Sequence, residues 1–236
     1  MLLLCLLTCL MVAGLAAQEP VPAGVPPSVT ATNLPIKAVA PGVFELGLVR
    51  MDKQQRSVSL PAFVNLREGV IEYLLVTSNG KTHESVLRTD AEPYHIHVAL
   101  LLLGARGAGT NSLPLDPALA LPGESVTVEV VWKKKKKEIR ARAETLVFDR
   151  KRKQSLSKGD WIYNGSRLRE GGFAAQSDGS IVALITDPDA LVNNPRPGRE
   201  DDDAWLAKAK NLPAFNEPVQ VVITLSASPG SKPPAK

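Results

Sequence analysis

All three histidines of the chain fall in one window, "GKTHESVLRTDAEPYHIH", as His83, His95 and His97, with Glu84 and Ser85 beside the first and Glu72 a little upstream. Imidazoles with carboxylates are the donor set of a divalent metal site, and a histidine near a serine invites a hydrolytic reading. "HES" opens like the HExxH helix of metalloproteases, but the second histidine would fall at position 87, which is Leu87. Ser85 has no G-x-S-x-G elbow around it. A metal set of His83, Glu84, His95 and His97, with Glu72 in reserve, is the one chemical constellation that stays open. No catalytic set is assigned, and no cofactor other than such a divalent ion is expected.

The elements around the window decide whether it can assemble. "TDAEPYHIHVALLLLGARG" predicts a helix, with Thr89 or Asp90 as cap, Pro93 in the first turn and Gly104 closing the apolar run. On a helix, residues two apart diverge by about 200°, so His95 and His97 face different neighbours. Upstream, Asn79-Gly80 is a hairpin-turn signal, and the chain after it reads as a strand with His83 and Ser85 on one face and Glu84 on the other.

The other charged and glycine-rich stretches have plainer readings. "GARGAG" (residues 104–109) follows a helix and lacks the Lys-Ser/Thr of a phosphate loop. The acidic run Glu200–Asp203 invites a calcium reading, as do Asp187, Asp189 and Asn193, but the spacing of the latter is not that of a calcium loop, and both runs suit helix N-termini. Asn164-Gly165-Ser166 matches a glycosylation acceptor but is first a turn.

The basic stretch is the strongest compositional anomaly. Five consecutive lysines, Lys133, Lys134, Lys135, Lys136 and Lys137, are followed by Arg140, Arg142, Arg150, Lys151, Arg152, Lys153 and Lys158, against Glu138, Glu144 and Asp149 as the only carboxylates of the stretch. Overall the formal charge is only +4, so the cations are concentrated rather than general. Val126, Val128, Val130 and Trp132 share one face at period two, and "EIRARAET" alternates in the same way. The two form a hairpin with the lysines at its tip. Such a tip either stands solvated or holds a polyanion.

The first residues, "MLLLCLLTCLMVAGLAAQEP", have the shape of a secretory leader over residues 1–17, with the cut expected after Ala16 or Ala17. Cys9 follows Thr8, a poor residue before a lipidated cysteine, so a lipoprotein signal fits less well. Both cysteines, Cys5 and Cys9, lie in this leader. A mature chain without them has no disulfide, no thiolate nucleophile and no iron–sulfur ligand. Export, to a periplasm or the extracellular space, points away from genomic nucleic acid and toward a cell-envelope polymer, lipid headgroups or another exported protein as partner. No transmembrane span is expected in the mature chain.

Residues 18–41, with Pro20, Pro22, Pro26, Pro27, Pro35 and Pro41, read as an extended tether. Residues 42–226 form one domain, and 227–236 a disordered tail. Within the domain, "RSVSLPAFVN", "GVIEYLLVTSNGKTHESVLR", "DWIYNGS", "GGFAAQ", "GSIVALIT" and "EPVQVVITLS" read as strands. "TDPDALVNNPRPG", with Asp187 as cap and Pro188 at the first helical position, and "DDDAWLAKAKNLP" read as short helices. The expected fold is α+β and β-rich, a mainly antiparallel sheet with two or three short helices.

Taken together, "VNLREGVIEYLLVTSNGKTHESVLRT", "YHIHVALLLLG", "WIYNGSRL", "GSIVALITDPDALVNNP" and "DDDAWLAKAKNLP" resemble the YdjY-type domain, over roughly residues 50–225. The resemblance implies an exported bacterial fold unit and no particular reaction. A ferredoxin-like relative would imply electron transfer, which does not carry over to a mature chain lacking cysteine. His83, Glu84 and Ser85 carry over as a family motif.

Overall fold

The alternating strands find a common interior. In the computed structural model, which describes residues 36–109 and 112–226, the chain runs β1 (Ile36–Ala40), β2 (Val43–Leu46), β3 (Val49–Asp52), β4 (Ser57–Val64), β5 (Tyr73–Thr77), β6 (Ser85–Thr89), α1 (Pro93–Leu102), β7 (Glu124–Lys134) and β8 (Lys137–Arg142). It continues β9 (Val147–Asp149), β10 (Gln154–Ser155), β11 (Trp161–Tyr163), β12 (Leu168–Arg169), β13 (Gly172–Phe173), α2 (Ala174–Asp178), β14 (Ser180–Ala183), β15 (Val192–Asn193), β16 (Trp205–Ala207) and β17 (Pro218–Leu225). Leader, tail and most of the tether lie outside the described residues. β1 falls at the end of the segment read as tether, and it pairs with β2.

Val58, Leu60, Ala62 and Val64 of β4, Val126, Val128 and Val130 of β7, and Val219, Val221, Ile223 and Leu225 of β17 alternate into one buried cluster. Strands β4, β17, β7, β11, β15, β14, β5 and β6 follow one another by hydrogen-bonded pairing. The ring then closes where β6 returns to β4 through Phe63↔Arg88 and Val64↔Leu87. Closure leaves no free edge within the ring. β1–β3 continue from β4 as a meander, and β8 hangs on β7.

This closed barrel corrects the expectation of an open, mainly antiparallel α+β sheet; the β-rich character stands. The sheet is mixed because two pairs are parallel, β5 with β6 and β14 with β15. Asn79-Gly80 does not turn a hairpin. The chain passes through a 3₁₀ turn at Thr82–Glu84 and re-enters alongside β5 in the same direction. "DPDA" likewise forms a turn and not a helix, and delivers β15 parallel to β14. β5 and β14 are buried on both faces, as parallel strands usually are.

Only α1 among the predicted helices forms. Pro93 stands at its start, and its cap position is Glu92, not Thr89 or Asp90. Gly104 takes φ +87° just past its end. Gly104 N–H donates to Leu101 O at 2.9 Å and Ala105 N–H to Leu100 O at 3.0 Å, the paired bonds of a Schellman cap. The other helix, α2, lies in "GGFAAQSD", whose first residues alone form a strand. "DDDAWLAKAKNLP" gives β16, paired with β9, and a 3₁₀ turn at Ala209–Asn211. Among the described residues no helix is long and apolar enough to cross a membrane.

Candidate functional site

The histidine window separates in space. His83 lies in the 3₁₀ turn, its side chain 78% exposed, with Nε2 3.6 Å from Glu84 Oε2. Ser85, expected on the same face, is fully buried and donates to Leu87 O at 2.8 Å. Glu72 shares the neighbourhood of Glu84. Burial, and then the charges of Glu84 and Asp202, push its carboxyl above the ordinary range. His95 and His97 leave α1 toward different partners, as helical spacing requires. His95 sits 3.8 Å from Glu92 and packs on Gly47, where an added Cβ would lie 2.7 Å from its Nδ1. His97 Nδ1 is 2.8 Å from the Tyr163 hydroxyl. Burial lowers the imidazole and raises the phenol, so this is a hydrogen bond between neutral groups. Among the described residues no three His, Cys, Asp or Glu side chains come together as a metal site.

The family-like motifs converge elsewhere, in a buried polar chain that begins at Lys81 of "GKTHES". Lys81 Nζ donates to the Tyr73 hydroxyl at 2.5 Å and sits 4.7 Å from its ring centroid. The Tyr73 hydroxyl donates to Asp187 Oδ2 at 2.9 Å. Burial, reinforced by the Asp187 charge, pushes this phenol far up and keeps it a donor. Asp187 Oδ1 accepts from Asp189 N–H at 2.8 Å, an Asx turn. Asn193 then closes the structure: its Oδ1 accepts from Asp187 N–H at 2.7 Å, and its Nδ2 donates to Asp187 O and to Asn164 Oδ1, both at 2.9 Å. Asn164 Nδ2 continues to Pro122 O at 2.5 Å. The amide and carboxylate atoms of Asp187, Asn193 and Asn164 are thus all engaged with other parts of the chain. The arrangement joins "GKTHES", "WIYNGS" and "DPDALVNNP" as one hydrogen-bonded network. Reading Asp187 as a helix cap missed this; two amides beside Val192 in an otherwise apolar stretch were the available signal.

The lysine run forms the predicted hairpin tip. β17 pairs with β7 only at Val126–Leu225 through Val131–Gln220, so beyond Val131 the one ladder partner of the strand is β8; Trp132 still packs against the core, and the lysines after it overhang the barrel. Lys133 pairs with Glu138 and Lys134 with Lys137, which leaves Lys135 and Lys136 as the two-residue loop; Lys135 takes φ +58° there. Lys133, Lys134, Lys135, Lys136 and Lys137 are all exposed, and among the described residues none forms an ion pair. Beneath the hairpin lies an open groove of about 590 Å³. Trp132, Ile139, Ala141 and Leu212 supply its apolar lining, Lys133, Lys134, Lys135 and Lys210 its cations, and Glu217 its one carboxylate. Lys136 and Lys137 lie outside that lining, at the tip and on the returning strand. Trp132, Lys210 and Leu212 were not expected at a common site, because only the folded chain brings residues 210–217 against the hairpin.

The base of the hairpin is clamped by ions. Glu144, 1% exposed, accepts from Arg142 Nε at 3.2 Å and Nη2 at 2.8 Å, and from Arg196 Nη2 at 3.0 Å. Arg196 also donates to Ser157 O and Asn194 Oδ1 and lies 5.2 Å from the Trp161 ring centroid. Arg199, buried, is likewise used internally, on Thr186 Oγ1 and the carbonyls of Pro114, Asp116 and Leu119. Against these internally bonded arginines, the hairpin lysines stand out as cations facing solvent.

The family model described as the YdjY domain matches residues 49–224. No curated protein and no solved structure matches the chain.

Proposed function

The chain belongs to the YdjY domain family, and from that premise we propose that it is an exported, non-catalytic binding module whose working surface is the lysine hairpin with the groove beneath it, and whose ligands are polyanions. One observation carries the reading: five adjacent ammonium groups, unpaired among the described residues, on a hairpin that overhangs the barrel. Like charges set side by side repel, and a fold gains nothing from them in isolation. A polymer of negative charge neutralises all of them and releases its counterions on doing so. The leader composition supports placing that ligand outside the cytoplasm.

Retention of the protein on immobilised heparin, read against salt, tests the proposal. With about five charge contacts, affinity falls about a hundredfold or more between 50 and 200 mM salt, its logarithm falling linearly with the logarithm of salt concentration. Changing Lys133, Lys134, Lys135, Lys136 and Lys137 together to serine abolishes retention. Arg150→Ser with Lys151→Ser, in the second cationic run, leaves it nearly unchanged, since the two are already paired with Asp203 and Asp201. Equal losses from both sets, or no retention of the parent protein at low salt, would reject the hairpin as the site.

A further inference from the structure

Resting on the polyanion reading, we infer that the anion met by this surface is the headgroup layer of an anionic lipid bilayer, with Phe215 as the inserting anchor. The second side of the groove is the segment Lys210–Ala214 with Glu217. Phe215, between lining residues Ala214 and Glu217, is 69% exposed. Its turn is pinned: Asn216 holds φ +62°, Asn216 N–H donates to Val64 O at 2.8 Å, and Glu217 N–H donates to Ala214 O at 3.1 Å. Arg88 Nη2 adds a bond to Asn216 Oδ1 at 2.7 Å. The phenyl ring is therefore presented on an ordered turn.

A soluble polyanion satisfies the lysines but has no use for an exposed phenyl ring. A bilayer answers both features, headgroups to the ammonium groups and the acyl boundary to the ring. Each lysine near an anionic surface contributes about 1 kcal/mol, and membrane attachment becomes stable when such a cluster is joined by a hydrophobic anchor. Trp132 in the groove adds an aromatic of the kind that settles at the headgroup level. Glu217 in the groove lining and Glu138 opposite Lys133 are carboxylates at this surface, and the five lysines with Lys210 outnumber them.

The test compares variants of the full chain, so that any contribution from the leader cancels. Sedimentation with phosphatidylcholine vesicles, with and without about a third phosphatidylglycerol, is read beside heparin retention. The parent chain gains affinity with phosphatidylglycerol. Phe215→Ser lowers that vesicle affinity about tenfold or more, the equivalent of one phenyl ring left in water, while its heparin retention and melting temperature stay as in the parent. Lys133–Lys137 changed to serine loses both ligands. Heparin retention without a phosphatidylglycerol-dependent gain overturns the membrane inference and leaves the polyanion reading standing. So does vesicle binding indifferent to Phe215→Ser, or a Phe215→Ser loss equal on both ligands. Binding to neither overturns both.

Discussion

Replacing Glu144 with alanine is expected to destabilise the fold by about 3–5 kcal/mol, the cost of breaking a buried ion set by removing one member. Arg196, nearly buried, would be left with carbonyl and amide acceptors but without its ion-pair partner, and Arg142 would lose its bidentate partner. Because Arg142 ends β8 and Glu144 follows it, the loss loosens the base of the lysine hairpin first. Glu144→Gln keeps the shape and one acceptor, and should lie between parent and alanine. The same site carries a pH dependence. Burial alone would raise the Glu144 carboxyl, but the hydrogen bonds from Arg142 and its own backbone N–H, with the charges of Arg142 and Arg196, outweigh it and hold it below the ordinary range. A carboxyl depressed on folding contributes stability that is present above its unfolded value and is lost as pH falls through the folded one. Urea denaturation of parent and variants at neutral and acid pH checks both statements. A Glu144→Ala cost below about 1 kcal/mol, or an equal acid sensitivity in parent and Glu144→Gln, would contradict them.

Asn193→Leu is the second large effect, about 3–5 kcal/mol. The side chain fits the volume, but Asp187 N–H and Asn164 Oδ1 each lose their partner in a buried setting, at about 1–3 kcal/mol apiece before relaxation, and Asp187 O keeps only the bond from Ala190 N–H. The damage spreads through Asp187 to Tyr73 and Lys81, so "GKTHES" should become mobile although Asn193 lies far from it in sequence. Amide hydrogen exchange at residues 80–85 reads that spread, and denaturation reads the total. A variant as stable as one carrying Gln220→Ala, an exposed position on β17, would show that the network is dispensable.

The contrast between these two sites and the lysine hairpin explains what sequence could show. Strands with one covered face, such as β4, β7 and β17, carry a period of two that survives any neighbour, and they were legible. So was α1, because Pro93 and Gly104 mark backbone geometry directly. The parallel pairs were not. Asp187-Pro188 satisfies the signals of a helix start, because an Asx turn uses the same hydrogen bond that an N-cap makes, an N–H two residues on donating to a side-chain oxygen. Nothing local distinguishes the two. The Asn79-Gly80 signal failed similarly: the path is set by the 3₁₀ turn at Thr82–Glu84 and by the space alongside β5, a tertiary fact. Barrel closure rests on two residue pairs between β4 and β6, far apart in sequence and without a signature of their own. Of the proposed binding surface, the lysines were visible as composition, whereas Lys210, Leu212 and Phe215 joined them only through the folding of the chain before β17.

The central claim is that polyanions meet this protein at the hairpin. Titration of a ¹⁵N-labelled sample with a short heparin oligosaccharide, followed residue by residue, tests it most directly. The account predicts amide shifts concentrated at residues 131–139 and 210–217, fading as salt rises. Shifts centred on residues 80–85, around Lys81 and His83, with the hairpin unmoved, would contradict it.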